Sequence, residues 1–422
     1  MPNLIKKAPD TNNIDDGFLR ISIAGRSNGL PIRNARISIS YSSEPDRVIE
    51  EVRTDESGNS EEILLSAPPL EFSMEPSDVQ PYSNYTLSVE AEGYAPRTVS
   101  GVSILPTETS LQKIELDTPD AVSPGVNPIV IPAHTLYGNF PPKIPEPEVV
   151  PVTETGQIVL SRVVIPEYVI VHDGVPNDNT AADYYVRYKD YIKNVASSEI
   201  YATWPDATIR ANILAILSFT LNRVYTEFYR GKNFNFTITS STAYDHKFVY
   251  GRNIFSNISR IVDEMFENYL SRPNVRQPIL TQYCDGKRVS CPGWMTQWGS
   301  KDLGDQGYSA IEILRYFYGS DMYINVADQI SGIPASWPGY TLTVGSRGDK
   351  VAMIQRQLNR IAQNYPAIPT VNADGIYGPK TSAAVSKFQS VFGLPVTGEV
   401  DYRTWYAISN LYVAVTRIAE LY

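Results

Sequence analysis

The sequence predicts a multidomain α+β chain: an N-terminal antiparallel β-sandwich, a central α+β domain and a C-terminal three-helix domain. Three observations carry this expectation. Apolar residues recur with period two in residues 16–118, the signature of half-buried strands. Nine of the 31 prolines fall between Pro119 and Pro151, which reads as an extended linker because proline fixes φ and removes a backbone donor. Near the end, Val351, Ile354, Leu358 and Ile361 are spaced three, four and three apart, one face of a helix. A chain of 422 residues has room for several domains. A second stretch rich in turn residues, SGIPASWPGYTLTVGSRGD, separates the last of them. The boundaries expected are 1–118, a linker at 119–154, 155–335 and 340–422.

Composition narrows the function classes. Lys and Arg number 36 against 46 Asp and Glu, a net charge of −10, which argues against a nucleic-acid partner because such binding needs a basic stripe. A charged fraction of 19% with 42% hydrophobic residues fits a folded chain. There is no run of 18 apolar residues, so no membrane span is expected. The start, MPNLIKKAPDTNNIDD, turns acidic before any apolar stretch and does not read as a secretory signal. Two cysteines cannot make a disulfide scaffold or a four-ligand zinc site, and only three histidines, His134, His172 and His246, limit any mechanism built on paired histidines. No metal and no cofactor is expected.

In the first segment, Leu19, Ile21 and Ile23 alternate with other residues, as do Ile37 and Ile39, and then Tyr85, Leu87, Val89 and Ala91. Asn28-Gly29 and Asp55-Glu56-Ser57-Gly58-Asn59 supply turn chemistry between the runs. Short strands at this spacing suggest a sandwich. GRSNGLPIRNARISI, TDESGN and YTLSVEAEGYAP also resemble the carboxypeptidase-regulatory, transthyretin-like sandwich, and that resemblance implies an accessory domain. His134, in the linker, is expected to be solvated.

In the central domain, Pro205 opens a helical stripe through Ile209, Ile213, Ile216 and Leu217. Glu199 precedes that helix in an apolar and aromatic neighbourhood, where its ionised form would be disfavoured, as suits a general acid. The bland alternative is a Glu that caps the helix or pairs with Arg210. Further on, Gly286, Gly293 and Gly299 punctuate an aromatic loop that runs into a helix bearing Ile311, Ile313, Leu314 and Phe317. Trp294 and Trp298 there are either cleft residues or core packing. Cys284 and Cys291 flank a turn at Asp285-Gly286 and are either a disulfide or two free thiols.

These two central stretches together resemble the stage II sporulation protein D family, lytic transglycosylases acting on peptidoglycan glycan. The family's catalytic glutamate, ahead of Trp-Pro, corresponds to Glu199 ahead of Trp204-Pro205. Its Gly-Met-Ser-Gln-Trp-Gly motif corresponds to Trp294 through Gly299, and its Glu-Ile-Leu segment to the stretch from Gly307 to Phe317. Its Asp-Gln and Tyr-X-Gly motifs correspond to Asp245-His246 and Tyr250-Gly251, with His246 standing where the family has Gln. The resemblance implies a catalytic Glu199 and substrate contacts from Trp204, Asp245, His246, Tyr250, Gln297 and Trp298.

In the last segment, Asp374-Gly375-Ile376-Tyr377-Gly378 forms a tight turn, Thr381, Val385 and Phe388 line a second helix, and Trp405, Ile408 and Leu411 a third. LTVGSRGDKVAMIQRQLN and NADGIYGPKTSAAVSKFQSVFGLPVTGEVDYRTW resemble the three-helix peptidoglycan-binding domain of cell-wall hydrolases. The module order, with IPEYVIVHDG and DYIKNVASSEIYATWP, resembles the SleC-type spore cortex-lytic enzymes. That resemblance implies cortex peptidoglycan as substrate and a location in the cortex or coat region of the spore. It also implies a zymogen, cut in or near the linker by a subtilisin-like germination protease that removes the N-terminal region. The reaction implied is cleavage between N-acetylmuramic acid and N-acetylglucosamine with a 1,6-anhydro product.

Two other readings stay open. One is an N-acetylmuramoyl-L-alanine amidase using zinc, with His172 and His246 beside Asp173 and Asp245 as ligands. The other is a non-enzymatic, wall-anchored spore protein or amidase activator. Charge is also unevenly placed: residues 1–118 hold 10 basic and 19 acidic residues, and residues 340–422 hold 8 basic and 5 acidic. An acidic N-terminal region would repel an anionic wall polymer, and a slightly basic C-terminal domain would be drawn to it.

Overall fold

Period-two burial builds the N-terminal sandwich. The computed structural model describes residues 14–26, 29–121, 128–149, 163–226, 228–232, 234, 236–327, 329–330 and 340–416. Residues 331–339 of the expected divider at 331–349, residues 122–127 and 150–154 of the expected linker, and residues 155–162 lie outside them. Strands β1 (Asp15–Gly25), β2 (Arg36–Tyr41), β3 (Val48–Arg53), β4 (Ile63–Ala67), β5 (Ser83–Glu90), β6 (Arg97–Ile104), β7 (Thr109–Leu116) and the short β8 (Ile129–Val130) form two sheets. One is ordered β3-β2-β5-β6-β8, and in the other β7 lies beside β1 and β1 beside β4. The alternating residues Leu19, Ile21, Ile23, Ile37, Ile39, Leu87 and Val89 are at most 1% exposed and share one core, as a sandwich requires.

The sandwich is not antiparallel throughout. β1 runs antiparallel to β4 but parallel to β7, pairing Phe18 with Thr109 through Gly25 with Leu116. β6 and β8 are also parallel. A hairpin forces antiparallel pairing only between strands joined by a short turn. β1 and β7 are joined by most of the segment, which is long enough for a parallel crossover.

The proline-rich segment does not leave the sandwich as a free tether. Ile131 N–H donates to Ser100 O at 2.8 Å. Gly101, at φ +86°, lets the chain pass so close that a Cβ there would strike the Ile131 carbonyl. Ile131, His134 and Leu136 are buried. The expectation of a solvated His134 is therefore corrected: its ring Nε2 lies 3.2 Å from Ile200 O, its backbone N–H donates to Tyr82 Oη, and the ring packs 4.6 Å from that of Tyr201.

Sandwich, proline-rich segment and central region fall in one compact unit, which runs to Gln329 apart from residues 28–30 and 165–168. The central residues Ile254–Phe255 add an antiparallel strand to the free edge of β7. Beside it, the fully buried Asn253 accepts from Ser103 N–H at 3.1 Å and donates to Ser103 O at 3.0 Å and to Ser110 Oγ at 3.2 Å. Trp204 Nε1–H donates to Ser73 O at 2.9 Å, and Val249 sits in the sandwich core.

The second unit holds residues 330–422 with the two short segments. Its helices, Asp349–Asn364, Pro379–Val391 and Tyr402–Thr416, enclose a core in which Val351, Ile354, Leu358, Ile361, Trp405 and Ile408 are fully buried. Two buried glutamines hold its turns. Gln355 accepts from Gly375 N–H and donates to Ile376 O, and Gln389 accepts from Thr397 and Gly398 N–H and donates to Glu399 O. Gly398, at φ +70°, leaves the space that the Ser382 and Ser386 hydroxyls occupy. Each turn thereby satisfies backbone groups that its own short span cannot pair.

Candidate active site

The central region is built on two consecutive helices. Tyr188–Glu199 buries Tyr188, Tyr191, Ile192, Val195 and Ala196, and ends at Glu199, where Ile200 turns extended at φ −132°. The next helix, Asp206–Tyr225, is buried along nearly its whole length, with Pro205 at its N-cap position. Arg210 pairs with Asp206 and Glu264. Glu199 is thereby left to other partners, and it is only 3% exposed.

Its two oxygens are held by two donors. Oε1 accepts the Lys247 backbone N–H at 2.6 Å, and Oε2 accepts the Tyr283 hydroxyl. Burial pushes the carboxyl above its ordinary pKa, while Lys143, the Tyr283 hydroxyl and Lys247 pull the other way. Burial also keeps the Tyr283 hydroxyl protonated far above the usual phenol range, so it remains a donor. Gln297 Nε2 donates to the Glu199 carbonyl at 2.9 Å and fixes the helix end. Gln297 itself opens the Gln297–Asp305 helix, which Thr296 Oγ1 caps by accepting Gly299 N–H at 3.2 Å.

Glu199 opens onto a narrow cleft with about 60 Å³ of room for water-sized groups, whose lining includes Phe140, Lys143, Tyr283, Asp285, Arg288 and Gln297. One wall is the loop closed by a Cys284–Cys291 disulfide with Cα atoms 5.8 Å apart, so of the two cysteine states the bonded one is present. Asp285 caps this loop from inside: its carboxylate accepts from Arg288 N–H at 2.7 Å and Val289 N–H at 2.8 Å. The opposite wall comes from the proline-rich segment.

Of the residues expected to contact substrate, Gln297 lines this cleft with Glu199. Four others face protein instead. Asp245 is fully buried and accepts from Arg223 Nε at 2.7 Å, Tyr229 Oη at 2.6 Å, and Thr239 N and Oγ1 at 2.9 and 2.7 Å. His246 lies in the layer behind Glu199. Its ring is parallel to that of Tyr283 at 5.8 Å, its Nδ1 is 3.1 Å from Tyr191 Oη, and burial holds it neutral, well below the usual histidine pKa. Trp204 and Trp298 pack on each other at 5.0 Å under the cleft. Tyr250 lines a different cleft, of about 430 Å³, with Arg26, Asp173, Tyr184 and Lys247, and stacks on Tyr184 at 4.7 Å. The physical reason is common to these residues: an ionised Asp needs Arg223, and large rings fill the core between the helices.

Tyr283, Lys143 and the Lys247 backbone were not found from sequence. Tyr283 precedes the first cysteine in LTQYC, a position with no periodic signal. Lys143 stands among prolines, where a lysine reads as solvated. Among the described residues, no group of three or more His, Cys, Asp or Glu side chains is placed to hold a metal. His172 pairs instead with Asp183 at 2.8 Å and stacks on Phe236. No described helix is long and apolar enough to cross a membrane.

Residues 347–408 match a family model for a peptidoglycan binding domain. The match spans the first two helices of the second unit and enters the third, and it agrees with the resemblance seen in the sequence there. Among solved structures, 18% of the chain is similar to the SleB N-terminal domain, at 27% identity over 99% of that chain with a TM-score of 0.16. A quarter is similar to the Bacillus anthracis TIE protein, at 14% identity over 17% of that chain with a TM-score of 0.17. A further similarity is to 3-chlorocatechol 1,2-dioxygenase from Rhodococcus opacus 1CP, at 12% identity over 25% of this chain and 60% of that one, with a TM-score of 0.17. Nothing below rests on these three likenesses. No curated protein matches the chain significantly.

Proposed function

We propose that the chain is a spore cortex-lytic enzyme that cleaves peptidoglycan glycan between N-acetylmuramic acid and N-acetylglucosamine, with Glu199 as its acid and base. The observation that carries the reading is the buried Glu199 carboxyl, raised in pKa and held by two donors at the floor of a cleft. A chain with a peptidoglycan-binding segment and such a group fits a lytic transglycosylase. The protonated Glu199 donates to the glycosidic oxygen as the C1–O bond breaks. The C6 hydroxyl of the same muramic residue then adds to C1 and returns its proton to Glu199, giving a 1,6-anhydro end. No water is consumed.

Ordinary glycosidases hydrolyse with a second carboxylate at a defined separation. Asp285, the other carboxylate in the cleft lining, is engaged by loop amides. Of the three other carboxylates that the sequence offers, Asp190 is exposed in the first turn of the Tyr188–Glu199 helix, Asp206 is ion-paired at the surface, and Asp245 is sealed behind Arg223. The test is mass spectrometry of digested cortex peptidoglycan. Anhydro-muramic ends are the expected product; ends heavier by one water would replace transglycosylation with hydrolysis.

We also infer that the chain is a zymogen, cut in or near the proline-rich segment by a subtilisin-like germination protease in the cortex or coat region of the spore. The added strand at Ile254–Phe255 and the buried Asn253 contacts bind the sandwich to the central region. Cutting alone is therefore expected to leave the N-terminal region bound, its removal needing a further step: a chain nicked in or near the linker should elute as one species in gel filtration and separate in denaturant. Release of residues 1–118 in native buffer would oppose this.

A further inference from the structure

The proline-rich segment is bonded into the cleft as a strap. Ile144 N–H donates to Ala243 O at 2.7 Å, and Leu280 N–H to Glu148 O at 3.0 Å. Gln282 Nε2 donates to Ile144 O at 2.7 Å, and its Oε1 accepts from Glu146 N–H at 2.9 Å. Two bidentate ion pairs add to this, Arg223 with Glu146 at 2.6 and 2.9 Å and Arg272 with Glu148 at 2.6 and 2.8 Å. These anchors just after Lys143, with the His134 backbone bond to Tyr82 before it, insert the Lys143 side chain into the interior. Its ammonium donates to the Asp245 carbonyl and sits 5.0 Å from the Phe219 ring centre and 5.4 Å from that of Tyr283, whose hydroxyl binds Glu199.

We propose that Lys143 is a positioning residue that favours the carboxylate form of Glu199 while the strap is seated, so that withdrawing the strap strengthens its hold on the proton it must donate. This rests on the reading of Glu199 as the acid and base. A buried cation and a buried carboxylate each stabilise the other's charge, because little solvent screens them. The groups facing Glu199 are Lys143 from the strap, Tyr283 from the disulfide loop's first strand and Lys247 from the segment after Asp245. Lys143 in turn faces Glu199, Asp245 and Glu146, which favour its charge, and Arg223, which opposes it. Burial brings the Lys143 pKa down to about 8. A general acid must carry its proton, so a cation that favours the carboxylate works against the first step. Removing that cation raises the carboxyl's pKa and enlarges the protonated fraction at any given pH.

The experiment is a carbon-13 carboxyl titration of the full chain labelled at the glutamate δ-carbon. The Glu199 signal is the one missing from Glu199→Gln. In Lys143→Gln, which keeps a donor toward the Asp245 carbonyl, the midpoint should move up by about 1–2 pH units. Lys143→Arg should hold it at the wild-type value. Lys143→Met is the second neutral variant if the Gln variant does not fold. An unmoved midpoint in the neutral variants, or an equal rise in the Arg variant, overturns the proposal. The readout needs no glycan cleavage. A moved midpoint with Glu199-independent cleavage sinks the functional reading alone, and an unmoved one with Glu199-dependent cleavage sinks the latch alone.

Discussion

Glu199→Gln is expected to lower glycan cleavage by about 10²–10⁴-fold, the usual worth of a positioned general acid. Binding to insoluble peptidoglycan should be unchanged, because the peptidoglycan-binding match lies at residues 347–408. The substitution keeps the side chain's size and one acceptor oxygen for the Lys247 N–H. The transferable proton is lost, along with the carboxylate charge and the oxygen that accepts the Tyr283 hydroxyl. Assays of anhydro-end release and of co-sedimentation separate the two effects, and cleavage at the wild-type rate would refute the assignment. The pH dependence has a definite sign. Burial raises the Glu199 pKa, so the acid form survives to higher pH than in an exposed Glu, and activity should fall as pH rises through that raised value. An acidic limb alone, with no loss toward high pH, would contradict an acid role.

The second large effect concerns Asp245. Asp245→Ala is expected to cost about 3–5 kcal/mol of stability, because removing one partner of a buried pair leaves the other's charge uncompensated. Arg223 is 1% exposed beside Asp245 at 0%. Tyr229 Oη and the Thr239 amide would also lose their acceptor. Glu146 still holds the far side of the guanidinium, which favours the lower end of that range. Chemical denaturation of the full chain measures the loss. A residue that contacted substrate would behave differently: its removal would raise KM and leave the unfolding midpoint in place.

The legible parts of this protein are those coded by neighbours. Leu19, Ile21 and Ile23 announce a strand by their alternation, and Val351, Ile354, Leu358 and Ile361 a helix by their spacing, because a regular backbone repeats its buried face at a fixed period. Glu199 stood out for the same kind of reason, a carboxylate among apolar and aromatic residues. The direction of β7 beside β1 was not legible, since a long connection permits either sense. Nor was the cysteine pair's state, because seven residues of separation suit both outcomes.

By itself, then, the sequence determined the sandwich strands, the helical C-terminal core and a single candidate acid. Tertiary structure alone decided what surrounds that acid. Tyr283 reaches Glu199 from 84 residues away and the Lys247 amide from 48, and Lys143 arrives on a segment whose prolines suggested a tether. Such contacts have no period in the chain. They exist because burying Glu199 leaves its oxygens needing donors, and the fold supplies them from whichever segments pass nearby.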